Sequence, residues 1–317
     1  MIGRGRRKPP APFSGAARLT RHALSLTRMR TATLMVASAG AATIALGLLW
    51  KLRQKARQLN TKLVRTPDGI ALPYEITGPT SSPLRLVVGH GLGSSDPSAK
   101  SHASDASRDI LMPVLDSVSM SASFFTARGH GESSGWEGKG TEQFHWRNLA
   151  KDVVAVAEEL ELPKFIAVGN SMGAATMLCL ALQQPERVAA LILYRPPTIF
   201  EARASRRSEL IKKAEELRSA HGARWPYYET LVGSAECNLP PASDPCWQAL
   251  RSRRLPVLIL SHGEDAVHPI QSGVELAGLL GDSCTLQVAA NEAEAQVCFP
   301  PLVRAFLQQV DNDVSCW

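Results

Sequence analysis

The first 67 residues contain no aspartate or glutamate, although they hold 14 of the chain's 35 lysines and arginines. The rest of the 317-residue chain carries 21 basic against 29 acidic residues, so the formal charge of +6 belongs to the N-terminal segment alone. This asymmetry argues against a basic nucleic-acid-binding domain, and no nucleic-acid partner is expected. The six cysteines, at 179, 237, 246, 284, 298 and 316, form no C-x-x-C pair and none has a histidine at zinc-ligand spacing, which argues against a zinc site. Cys237 and Cys246 are spaced to bridge a loop, but free thiols in a reducing compartment are the simpler reading. There is no internal repeat, and no histidine follows His268.

The N-terminal segment has two parts. Residues 1–30 are rich in Arg, Ala, Ser and Thr, the composition of an organelle targeting segment. Residues 31–50 then give 20 uncharged positions, close to the length that spans a bilayer, though Ala, Gly and Thr keep the run only moderately apolar. Basic residues flank it on both sides, so charge sets no orientation. Three readings stay open: a targeting segment followed by a membrane anchor, a simple signal anchor, or an apolar element inside a cleaved presequence. The first two tether the domain to a membrane through a 31–50 helix, with mitochondrion or plastid as the expected location.

After a basic linker at 51–61, short apolar runs bounded by Gly, Pro and Asp begin. Strands are expected at Leu84 to Val88, Ser123 to Ala127, Lys164 to Val168, Ala189 to Tyr194, Pro256 to Leu260 and Thr285 to Ala289. Helical spacing intervenes at Ile110 to Leu115, Phe144 to Leu160, Met172 to Gln183, Gly273 to Leu280 and Leu302 to Val310. Such alternation predicts an α/β fold, a mostly parallel central sheet flanked by helices, with ligands bound at the carboxyl ends of its strands. The turn at Pro67 to Ile70 predicts an antiparallel hairpin ahead of it. Residues 197–254 break the alternation and read as a small helical lid insert. The folded domain is expected over 62–311, with a tail at 312–317.

Gly169-Asn170-Ser171-Met172-Gly173 follows an apolar run and precedes a helical one, which is the context of a nucleophile elbow. Its glycines are expected because a Cβ at either would meet neighbouring backbone, and Ser171 is expected in a sparsely populated conformation. His90-Gly91-Leu92-Gly93 ends another apolar run. Its Leu92 N–H, with that of Met172, suits an oxyanion hole, and His90 reads as a structural residue.

With Arg128-Gly-His-Gly and Gly263-Glu264-Asp265 added in order, the chain resembles the α/β-hydrolase family. The resemblance implies a Ser, Asp, His triad, a backbone oxyanion hole, no metal or other cofactor, and small-molecule acyl substrates. By motif position Ser171 matches the nucleophile and Asp265 the acid, while His130 reads as structural. One departure stands out. The family's general base ordinarily follows the last strand, where this chain reads Asn291-Glu292-Ala293-Glu294-Ala295-Gln296. His268, three residues after the acid, is the candidate in its stead, with Glu292 or Glu294 as weak carboxylate bases. The leading expectation is a serine hydrolase of a carboxylic ester or thioester. The alternative is an impaired hydrolase-fold protein that only binds or scaffolds, and an acyltransferase or lyase on the same scaffold also stays open.

Overall fold

In the computed structural model, residues 62–79, 84–93, 106–221 and 228–314 are described. The basic arm, the 31–50 run and the linker lie outside them, and so does the membrane anchor expected there. Among the described residues no helix is long and apolar enough to cross a membrane.

Strands β1 (Lys62–Arg65) and β2 (Ala71–Thr77) pair antiparallel across the expected turn. Thr66 closes that turn, donating its hydroxyl to Asp68 Oδ1 at 2.5 Å, and Gly69 supplies the left-handed φ of 86°. Then follow β3 (Leu86–Gly89), α1 (Ala106–Val118), β4 (Ala122–Phe125), α2 (Trp146–Glu159), β5 (Phe165–Asn170), α3 (Met172–Gln183) and β6 (Val188–Tyr194). Four helices come next: α4 (Phe200–Ser205), α5 (Arg207–His221), α6 (Tyr228–Ala235) and α7 (Pro245–Ser252). The described chain ends with β7 (Val257–His262), α8 (Ile270–Leu280), β8 (Cys284–Ala289) and α9 (Glu292–Val314).

The eight strands lie in the order β1-β2-β4-β3-β5-β6-β7-β8, and every pair from β4 to β8 is parallel. Strands β3, β5, β6 and β7 are buried throughout, which is why they read as continuous apolar runs without alternation. Successive side chains feed two cores. Phe165, Ala167, Leu191 and Leu193 pack with α2, α3 and the inserted helices on one face. Ile166, Val168, Ala190 and Ile192 pack with α1 and α9 on the other.

The last helix departs from the sequence expectation. Pro300 and Pro301 each remove a backbone donor, and the helical pattern is recognisable only after them; yet α9 begins at Glu292 and runs through both prolines. Ala295 and Phe299, fully buried in the face shared with α1, hold its first turns down. The stretch from Asn291 to Gln296 is therefore no long loop, and only Ala290 and Asn291 join β8 to α9. At the other end α9 continues to Val314, into the stretch read as a tail.

The insert is stitched to α2. Arg203 of α4 is buried, donates to the Ser234 carbonyl at 2.5 Å and its hydroxyl at 2.9 Å, and lies 5.0 Å above the Trp146 ring. Asn238 accepts the Phe200 N–H at 2.8 Å and donates back to its carbonyl at 2.7 Å. In α5 the charged residues face solvent, in keeping with the solvated helix read from the sequence.

Candidate active site

The turn between β5 and α3 carries Ser171 at φ 53° and ψ −112°, a conformation that L residues adopt only when their surroundings impose it. Those surroundings are visible. The Ser171 N–H donates to the Tyr194 carbonyl of β6 at 3.0 Å, and its own carbonyl accepts the Ala175 N–H at 3.1 Å, starting the helix. A Cβ at Gly169 would collide with the Gly173 carbonyl, and one at Gly173 would collide with the Gly89 carbonyl. Both glycines are thus required by close approach of backbone, as the motif implied.

Gly173 N–H donates to the His90 carbonyl at 3.1 Å, which sews the elbow to the loop after β3. Leu92 lies on that loop, half-buried against the core, and buried Met172 opens α3. As the first residue of a helix, Met172 offers an N–H without an intrahelical acceptor. His90 serves the loop itself: Nδ1 faces the Gly91 carbonyl at 2.7 Å and Nε2 accepts the Ala127 N–H at 3.0 Å. His130 packs edge-on against it, and burial, with His90 second, pushes its imidazole down to about 3. His130 is therefore neutral, and both rings are parts of the scaffold.

The loop after β7 brings the other two candidates to Ser171. Ser171 Oγ lies 2.7 Å from His268 Nε2, and His268 Nδ1 lies 2.8 Å from Asp265 Oδ2. The second oxygen, Asp265 Oδ1, accepts the N–H groups of Val267 and His268, each at 3.0 Å. One carboxylate thereby shapes the turn and orients the ring that the turn carries. Gly263 N–H donates to the Ala289 carbonyl at 2.9 Å, seating the loop on the end of β8. Burial alone would raise the Asp265 carboxyl, but the hydrogen bond and charge of His268, then the two backbone donors, bring it below its ordinary value. Burial lowers the His268 imidazole, outweighing Asp265, which pulls the other way, with Arg195 and His262 adding to the downward shift. The ring is neutral at pH 7, the form that accepts a proton.

The two glutamates weighed as weak bases are engaged elsewhere. Glu294 Oε2 accepts the Ala290 N–H at 2.5 Å and Asn291 Oδ1 accepts the Glu294 N–H at 3.0 Å, so this pair caps α9. Glu292 Oε2 accepts from the Tyr194 hydroxyl at 3.1 Å and from Arg195 Nη1 at 3.3 Å, and lies 2.8 Å from His262 Nε2. Arg195, Tyr194 and His262 were not singled out from the sequence. The available signal was position: each sits at or just past the carboxyl end of a buried strand, the edge where such sheets place their chemistry.

Among the described residues no group of three or more His, Cys, Asp or Glu is arranged to hold a metal ion, and the five described cysteines are free thiols. A groove of about 920 Å³ runs between α7 and α8, lined by Trp247, Arg251 and Leu280 among others, and contains none of Ser171, Asp265 and His268.

Comparison with known proteins agrees with this architecture. The family model described as an α/β hydrolase fold matches residues 124–228. A carboxylesterase structure from Nitrososphaera gargenis aligns with a TM-score of 0.60 at 16% identity, over 80% of this chain and 100% of that one. A thermophilic esterase from Thermogutta terrifontis gives 0.59 at 19%, over 79% and 99%. A proline iminopeptidase from Mycobacterium smegmatis gives 0.55 at 15%, over 80% and 99%. The strand order and these likenesses agree: the chain has the α/β-hydrolase fold, and residues 124–228 match the model of that fold.

Proposed function

We propose that this chain is a serine hydrolase of a carboxylic ester or thioester with a small or medium acyl group. The observation that carries the reading is the line of contacts from Ser171 Oγ to His268 Nε2 and from His268 Nδ1 to Asp265. Ser171 is the nucleophile: as its oxygen attacks the acyl carbon, the hydroxyl proton passes to Nε2, which the ring leaves unprotonated because Nδ1–H is held by the carboxylate. Asp265 steadies the imidazolium so formed. The carbonyl oxygen, now an oxyanion, is received by the Leu92 and Met172 N–H groups, each worth about a hundredfold or more in rate. His268 then returns the proton to the leaving alcohol or thiol. A water molecule, activated by the same ring, releases the acid from the acyl-enzyme.

Placing the base on the acid's own turn answers the absence of a histidine after the last strand. The presence of esterases and a carboxylesterase among the structural relatives favours ester chemistry over the other reactions of the fold. The acid-free arm and the 31–50 run support a further proposal, attachment of this domain to an organellar membrane; recovery in the supernatant after carbonate extraction would count against it.

The test is covalent labelling of the purified chain with a fluorophosphonate. The wild type is expected to label, and Ser171→Ala and His268→Ala are expected not to. A folded wild type that stays unlabelled, yet binds esters without turnover, would replace this reading with that of a binding protein.

A further inference from the structure

Three segments meet on one side chain: Asn170 before the nucleophile, the loop that carries Asp265 and His268, and Glu292 just past the last strand. Arg195, the first residue after β6, reaches all three segments. Its Nε is 3.4 Å from Asn170 Oδ1, and its Nη1 is 3.3 Å from Glu292 Oε2 and 3.9 Å from Asp265 Oδ2. The backbone delivers it there: its N–H donates to the Leu260 carbonyl at 2.8 Å, and its φ of 46° is a left-handed conformation rare for a residue with a Cβ. Tyr194 completes the seat, its ring 4.7 Å beneath the guanidinium and its hydroxyl on Glu292.

The geometry points to Arg195 as a positioning residue of the proposed triad: held by Glu292, its guanidinium keeps the Asp265 carboxylate turned toward His268. The inference rests on the serine-hydrolase reading and assigns Glu292 a part in it other than that of a base. The charged and titratable groups facing His268 are Asp265 from its own loop, Arg195 from beyond β6 and His262 from the end of β7. Glu292 stands behind Arg195 and offsets its charge. Removing the arginine's charge takes one restraint from the Asp265 carboxylate and makes protonated His268 easier to form. Removing the Glu292 charge does the reverse, because the arginine then acts on the Asp265–His268 pair unopposed.

The experiment uses the full chain as wild type, Arg195→Gln, Arg195→Lys and Glu292→Gln, with two readouts. One is the pH profile of kcat/KM, or of the fluorophosphonate labelling rate. The other is NMR titration of the His268 ring, assigned by its loss in His268→Ala, which reports on the resting protein. For Arg195→Gln, kcat is expected to fall about tenfold or more with KM little changed, while the acid limb and the His268 titration both move up by roughly half to one pH unit. For Glu292→Gln both are expected to move down. Arg195→Lys, which keeps the charge but lacks the planar fork, is expected to hold the acid limb near its wild-type place and recover only part of the rate. Folded Gln variants whose acid limb and His268 titration match the wild type would overturn the role of Arg195. A wild type that neither labels nor turns over ester would instead remove the hydrolase reading, with the NMR titration still deciding whether Arg195 governs the Asp265–His268 pair.

Discussion

Arg128 and Arg195 each stand between two carboxylates, and the two clusters are built to different tolerances. The Arg128 side chain is 4% exposed and grips Asp152 with two nitrogens, at 2.8 and 2.5 Å, while a third reaches Asp68 at 2.9 Å. Asp152 itself is fully buried. Arg195 is 22% exposed and meets its two carboxylates at 3.3 and 3.9 Å. The first cluster pins the β1–β2 turn, the turn after β4 and helix α2 into one body, because a buried bidentate ion pair has a single good geometry. The second is looser and more exposed, and it lies beside the Asp265–His268 pair. A saturated pair serves shape; a shared one acts on its neighbours.

The strongest contrast is between rate and stability. Asp265→Asn should lower kcat/KM by about 10⁴-fold, since an amide in that place no longer holds the imidazole in the tautomer that accepts a proton, while the melting temperature moves little. Asp152→Ala should do the opposite, destabilising by about 3–5 kcal/mol in urea unfolding because Arg128 is left buried with half its partners. If Asp152→Ala instead left stability unchanged, Arg128 would be no more structural than Arg195. Next comes pH. In the proposed mechanism His268 works as neutral imidazole, which persists above its pKa and is lost as pH falls through it, so its depressed pKa is expected to place the acid limb of kcat/KM below 6.5, the ordinary histidine value. An acid limb above that value would contradict the buried, cation-flanked ring. The smallest effect is expected for Asp68→Ala, within about 1 kcal/mol, because its carboxylate is half exposed and Asp152 still holds the arginine.

How far these features can be read without coordinates depends on their range. The buried strands are recognisable because parallel strands covered on both faces are apolar throughout, and α3 matches its sequence pattern end to end. Ser171 and Asp265 are marked by glycine-rich turns whose backbone demands leave a local signature. The contact between Ser171 and His268 spans 97 positions and depends on one loop conformation and one rotamer, neither of which has a periodic trace. Arg195 and His262 are single polar residues whose one mark in the sequence is their place at the carboxyl ends of buried strands. The first half of α9 is hidden for another reason: two prolines mimic a helix boundary, and only the burial of Ala295 and Phe299 shows that tertiary packing overrides them.

In the proposed mechanism, carrying acid and base on one four-residue turn changes what the chain tolerates. A triad drawn from three loops needs three independent placements to coincide; here the elbow and a single turn must register, a two-body problem. Lengthening or shortening the connection between β8 and α9 would leave the spacing of Asp265 and His268 untouched, whereas one residue inserted between Asp265 and His268 would rotate the ring off its carboxylate. The C-terminal edge of this fold bears on the pair only through Glu292, whereas the two residues between Asp265 and His268 set its geometry directly.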